Sequence, residues 1–96
     1  MKRNGNFILR CVADTWVLMP VGPAVVEFPG MIKLNEAGCF LWDLLETEQT
    51  KEVLIQALTD SYEVTPQQAA EDLEAFLEPL LLTGAVISTE RDQSLG

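Results

Sequence analysis

The stretch FPGMIKLNEAGCFLWDLL, Phe28 to Leu45, decides the fold. Met31, Ile32 and Leu34 are strand-compatible apolar residues, and Pro29-Gly30 ahead of them is a turn signal. Asn35 suits a helix N-cap, because its side-chain oxygen accepts from the first free backbone N–H groups. Ala37, Leu41, Leu44 and Leu45, with Phe40 beside them, then recur at helical spacing. A strand from Met31 to Leu34 therefore runs without a spacer into a helix from about Glu36 to Leu45. The chain before this junction reads as strands and the chain after it as helices.

Upstream, Phe7 to Val12 and Thr15 to Met19 are rich in β-compatible residues. Ala13-Asp14 between them reads as a tight hairpin connection that lacks the strong Asn-Gly signature. Pro20 and Gly22-Pro23 end the second strand. Ala24 to Phe28 either extends it or forms a short piece of its own. Residues 1 to 5 are polar and contain Gly5, so a frayed terminus is expected. Three antiparallel strands are marginal alone and need a covering layer.

Downstream, Glu46 to Gln49 is a polar connection and Thr50 a natural N-cap. Val53, Leu54, Ala57, Leu58 and Tyr62 follow at helical spacing. Val64-Thr65-Pro66-Gln67-Gln68 opens a third helix: Thr65 as N-cap, Pro66 at the first helical position, Gln68 closing a capping box, Val64 and Ala69 as a staple. Its core stripe reads Ala69, Leu73, Phe76 and Leu80, widened on one flank by Ala70, Leu77 and Leu81. Pro79 inside it removes a helical hydrogen bond at about 3 kcal/mol and predicts a kink or an early stop. Gly84 is placed for a left-handed helix end with Ala85 against Leu80. Val86-Ile87 adds a short extended segment, and residues 89 to 96 form a polar tail. The expected class is α+β, resembling a winged helix-turn-helix with a three-stranded antiparallel sheet followed by three helices. Residues 1–96 read as one domain, with an ordered core over about 7–88.

The totals exclude several functions. The net charge is −9 and there is no histidine. Residues 1 to 45 balance Lys2, Arg3, Arg10 and Lys33 against Asp14, Glu27, Glu36 and Asp43, so the excess acid lies wholly in the helical half. That half repels an anionic polymer, and no basic residue lies on the third helix where a winged-helix DNA reader needs one. Without histidine, a paired-cysteine motif or a phosphate loop, the usual parts of an active site are missing, and neither a metal nor a cofactor is expected. Cys11 and Cys39 read as buried free thiols, a disulfide being the alternative. No apolar run is long enough to span a bilayer, and Arg10 and Asp14 interrupt any signal-peptide core, so the expected location is cytoplasmic.

MIKLNEAGCFLWDLL, residues 31 to 45, resembles the signature of the PqqD family, named for pyrroloquinoline quinone synthesis: a strand ending in Leu-Asn, a small Ala-Gly step, then an aromatic-rich helix. The likeness continues through TKEVLIQALTDSYEV and TPQQAAEDLEAFLEPLLLTGAVI and covers roughly residues 7 to 88. Pro79, where a charged helix former is commoner, and the longer segment Val21 to Phe28 depart from the pattern.

The resemblance implies a non-catalytic chaperone for ribosomally made, post-translationally modified peptides. Such domains bind the leader of a precursor and present it to a modifying enzyme, often a radical S-adenosylmethionine enzyme. The leader adds as a strand beside the third strand, between it and the third helix. Carried onto this chain, the peptide-binding residues are Met31, Ile32, Lys33 and Leu34 on the strand and Ala70, Leu73, Glu74, Leu77 and Leu81 on the helix. On residue pattern alone, Leu77 and Leu81 read as core and Glu74 and Lys33 as solvated charges. As groove residues, Glu74 would read a basic leader side chain and Lys33 an acidic one. A charge at Leu77 would then weaken binding without unfolding the domain. Trp16 and Trp42 read as core, with Trp42 the better candidate for a partly exposed anchor. The alternatives are a winged-helix DNA-binding regulator, a small enzyme and a dimeric scaffold without a peptide ligand. An open strand edge also permits pairing of two copies into a homodimer.

Overall fold

The computed structural model describes residues 1–27 and 30–88; expectations for Phe28, Pro29 and the tail from 89 lie outside the described residues. The chain runs β1 (Lys2–Arg3), β2 (Phe7–Val12), β3 (Thr15–Pro20), α1 (Ala24–Glu27), β4 (Ile32–Leu34), α2 (Glu36–Leu44), α3 (Lys51–Ser61), α4 (Pro66–Thr83) and β5 (Val86–Ile87). The main sheet is antiparallel in the order β2-β3-β4 and precedes the three long helices, as the sequence predicts. Ala24–Glu27 is a single helical turn, which settles the open reading of that segment.

Local chemistry accounts for the element borders. Ala13 and Asp14 take φ of 52° and 66°, both left-handed, and Val12 pairs with Thr15. That is the geometry of a two-residue hairpin whose twist matches the strands it joins. Asn35 accepts from the Gly38 N–H at 2.8 Å, Thr50 from Val53 at 3.2 Å and Thr65 from Gln68 at 3.1 Å. All three predicted N-caps are thus made. The reciprocal arm of the capping box is not the one used: Gln68 Nε2 donates instead to Asp72 Oδ1 at 2.9 Å. Gly84 ends α4 with φ of 85°, its N–H donating to the Leu81 carbonyl at 3.3 Å.

The sheet lays the row Leu9, Leu18, Ile32 across its three strands, with Cys11, Trp16, Leu34 in a second row on the same side. Leu18 is fully buried, and Leu9, Ile32 and Leu34 pack against the same core. From the helices this core takes Leu41, Leu45, Leu54, Leu58, Ala69, Leu73, Leu77 and Leu80. Phe40 of α2 and Tyr62 after α3 meet edge to face with ring centroids 5.6 Å apart.

Neither the frayed terminus nor the early stop at Pro79 occurs. Residues 1 to 5 are not frayed: β1 pairs with β5, and Met1 is buried in the core. The Met1 amino group forms an ion pair with Glu48 and donates to the Gln49 carbonyl at 2.8 Å. Asn4 donates from its backbone to Ala85 at 2.8 Å and from its side chain to Gly84 at 2.9 Å, while the Arg3 N–H reaches the Leu45 carbonyl at 2.9 Å. The polar opening residues are ordered because helix ends expose carbonyls that need donors. Nor does Pro79 stop α4, which continues to Thr83. Leu77 and Leu80 on its core face, with Ala85 and Val86 buried beyond it, outweigh one missing helical bond.

Candidate functional site

β4 is an edge strand. Its one partner in the sheet is β3, through Leu18↔Ile32, Val17↔Lys33 and Trp16↔Leu34. In an antiparallel ladder, alternate residues turn their N–H and C=O outward. Among the described residues no strand pairs with that outer edge of β4.

Beside this edge lies a groove of about 290 Å³ bounded by β4, the start of α2 and one side of α4. Ile32, Lys33 and Leu34 line one wall; Asp72, Ala75, Phe76 and Pro79 line the other. The Leu34-Asn35-Glu36-Ala37-Gly38 step closes one end. A β-carbon placed on Gly38 would lie 3.2 Å from Asn35 Oδ1 and 3.3 Å from the Leu34 β-carbon. Glycine there lets the first turn of α2 press directly onto β4. The lining is apolar apart from Lys33, Asn35 and Asp72.

The structure divides the residues expected to bind a peptide. Ile32, Lys33 and Leu34 border the groove, and Met31 is exposed immediately ahead of β4. On α4 the expected set is displaced. Leu73 and Leu77 are each 1% exposed and belong to the core, so neither is available to a ligand, and a charge at Leu77 would unfold the chain. Glu74 points to α3, where it pairs with Lys51 at 2.9 Å. Ala70 is half-buried and Leu81 exposed, and neither is among the residues lining the groove. Phe76, expected in the core stripe, is half-buried at the groove.

The residues that the sequence reading missed are Asp72, Ala75, Phe76 and Pro79. They follow the i, i+3, i+4, i+7 spacing of a second helical stripe, and that spacing was the available signal. It is masked because Phe76 and Leu77 are adjacent and both apolar, so pattern alone does not say which turns inward.

A larger concavity, of about 810 Å³, lies on the other side of α2, lined by Phe7, Ile8, Leu9, Trp16, Cys39 and Trp42 with Glu36 and Asp43 at its margin. It reverses the two tryptophans: Trp16 is 44% exposed and Trp42 only 2%. Arg3 covers Trp42, its guanidinium 5.6 Å from the ring centroid and donating to the Trp42 carbonyl at 3.2 Å. Both thiols are free, and Cys11 is exposed rather than buried. Partial burial, helped by Asp43, Cys11 and Glu36, pushes the Cys39 thiol above its ordinary pKa. Among the described residues no cluster of side chains could hold a metal ion, and no helix is long and apolar enough to cross a membrane.

Fold and groove define a small α+β protein of the winged helix-turn-helix type with one sheet edge left open beside its longest helix. The profile of coenzyme PQQ synthesis protein D (PqqD) matches residues 15–86, and the chain belongs to the PqqD family. Among solved structures, TbiB1 in complex with the TbiA(beta) leader peptide superposes with a TM-score of 0.71 at 22% identity, over 94% of this chain and 99% of that one. At that identity the likeness is one of fold. No curated protein matches the chain in sequence.

Proposed function

We propose that this chain binds the leader segment of a ribosomally made, post-translationally modified precursor peptide by strand addition to β4. The observation that carries this reading is the outer edge of β4, which no strand covers among the described residues, facing α4 across a largely apolar groove. Main-chain hydrogen bonds to β4 supply affinity that is indifferent to side chains. Alternate leader side chains reach Leu34, Phe76 and their neighbours, which supply selectivity. Membership of the PqqD family, and a protein of the same fold in complex with a leader peptide, support leader binding.

The larger concavity is the weaker site for a strand. Two carboxylates, of Glu36 and Asp43, stand at its margin, against the one of Asp72 at the groove beside β4. The chain itself acts without catalysis and in the cytoplasm, presenting the precursor to a separate modifying enzyme of the radical S-adenosylmethionine type. The acidic helical half offers that enzyme a surface complementary to a basic face.

The test is a titration with the synthetic leader of the precursor peptide encoded nearest to this chain's gene, followed by anisotropy and by amide chemical shifts. The expected result is micromolar or tighter binding, with the largest shifts at Ile32, Lys33, Leu34, Ala75, Phe76 and Pro79's neighbours. Shifts confined to Ile8, Leu9 and Trp16 would move the site to the other edge. Failure to bind, or a homodimer that buries β4 and excludes the leader, defeats the reading.

A further inference from the structure

Pro79 lies inside α4, and the helix continues through Thr83. Proline has no N–H, so the carbonyl four residues earlier, that of Ala75, is denied the donor a helix would supply. A proline ring inside a helix also crowds the carbonyl four residues earlier, which favours a tilt of that carbonyl away from the helix axis. Ala75 and Pro79 both line the groove opposite β4. The side chain of Ala75 is a single methyl group, too small to screen the oxygen. Among the described residues no side chain donates to it, whereas the Pro79 carbonyl receives the Thr83 hydroxyl at 2.9 Å. A carbonyl displaced in this way would put a backbone acceptor on the helical wall of the groove, where helices ordinarily present side chains alone.

A strand added to β4 has two hydrogen-bonding edges. Its inner edge is satisfied by β4, and its outer edge faces α4. In a groove lined by Ile32, Leu34, Ala37, Leu41 and Phe76, an outward N–H loses its water and needs a protein partner.

We propose that the Ala75 carbonyl, freed by Pro79, accepts a hydrogen bond from one outward-facing backbone N–H of the bound leader. That single contact fixes the register of the leader along β4 and excludes proline from the leader position that makes it. The inference rests on the leader-binding reading above and adds to it a specific contact on the helical wall.

The experiment is a cycle between two chain variants and a backbone-edited leader. Pro79→Ala and Pro79→Gly each restore an N–H at position 79 and return a donor to Ala75. The leader is the same synthetic peptide, with its amides replaced one at a time by esters, which removes one N–H each time. Wild type is expected to bind the unedited leader five- to tenfold more tightly than either variant, although P79A melts at a higher temperature. One ester position should weaken wild type by a similar factor and leave P79A unaffected. Equal affinity of P79A, P79G and wild type overturns the proposal, as does an ester profile that is the same for wild type and P79A. Failure of wild type to bind the leader at all overturns the leader-binding reading itself, a result separate from the other two.

Discussion

Two stripes of α4, about 100° apart around the helix, have opposite fates. Ala69, Leu73, Leu77 and Leu80 are buried in the core, Leu80 also reaching the floor of the groove, while Asp72, Ala75, Phe76 and Pro79 line the groove beside β4. Both carry apolar residues, so hydrophobicity does not separate them. Shape does: the sealed stripe has three leucines and one small residue, which interdigitate with Leu54 and Leu58 of α3. The open stripe has an alanine and a proline flanking one aromatic ring, which leaves a hollow where a leucine row would have filled it. One helix thus serves as core on one side and as the margin of the groove beside β4 on the next.

The contrast is broken most severely by substitution in the sealed stripe. Leu77→Asp buries a carboxylate with no partner and is expected to cost more than about 4 kcal/mol, enough to abolish cooperative unfolding in urea. A folded L77D chain would show that this stripe is not core. Next in size is Ala75→Glu, one stripe away. It leaves the melting temperature within about 2 °C, since exposed substitutions shift stability by less than about 0.5 kcal/mol, but it should weaken leader binding tenfold or more by calorimetry. The smallest effect belongs to Glu74→Ala, on the side facing α3. Losing an exposed ion pair with Lys51 should cost less than about 0.5 kcal/mol and leave leader affinity unchanged within twofold. If E74A weakened the leader more than A75E, the groove would lie on the wrong side of the helix.

How much of this is legible in the sequence depends on the range of the interaction responsible. The three N-caps, the hairpin at Ala13-Asp14 and the end of α4 at Gly84 rest on contacts within a few residues, and each is read correctly. The strand order follows from a hairpin and one edge strand, and it too is readable. The rotation of α4 is not, because Phe76 and Leu77 compete for the core and the contest is settled by α3. Trp16 and Trp42 are interchanged for a similar reason: Arg3, far away in sequence, covers the second and leaves the first bare. The β1–β5 pair is invisible to pattern altogether, since Lys2–Arg3 carries no strand signal until Val86–Ile87 is laid beside it.

That pair has a mechanical consequence. Asn4 and Gly84, 80 residues apart, are joined by a hydrogen bond just where α4 ends, and Arg3 holds the end of α2 at Leu45. These bonds and the β1–β5 pair tie the end of α4 to the start of the chain, an arrangement that would hold the space between α4 and β4 as a slot rather than a jaw. On the proposed reading, an incoming strand would have to match that gap, and thickness would join sequence as a criterion for admission.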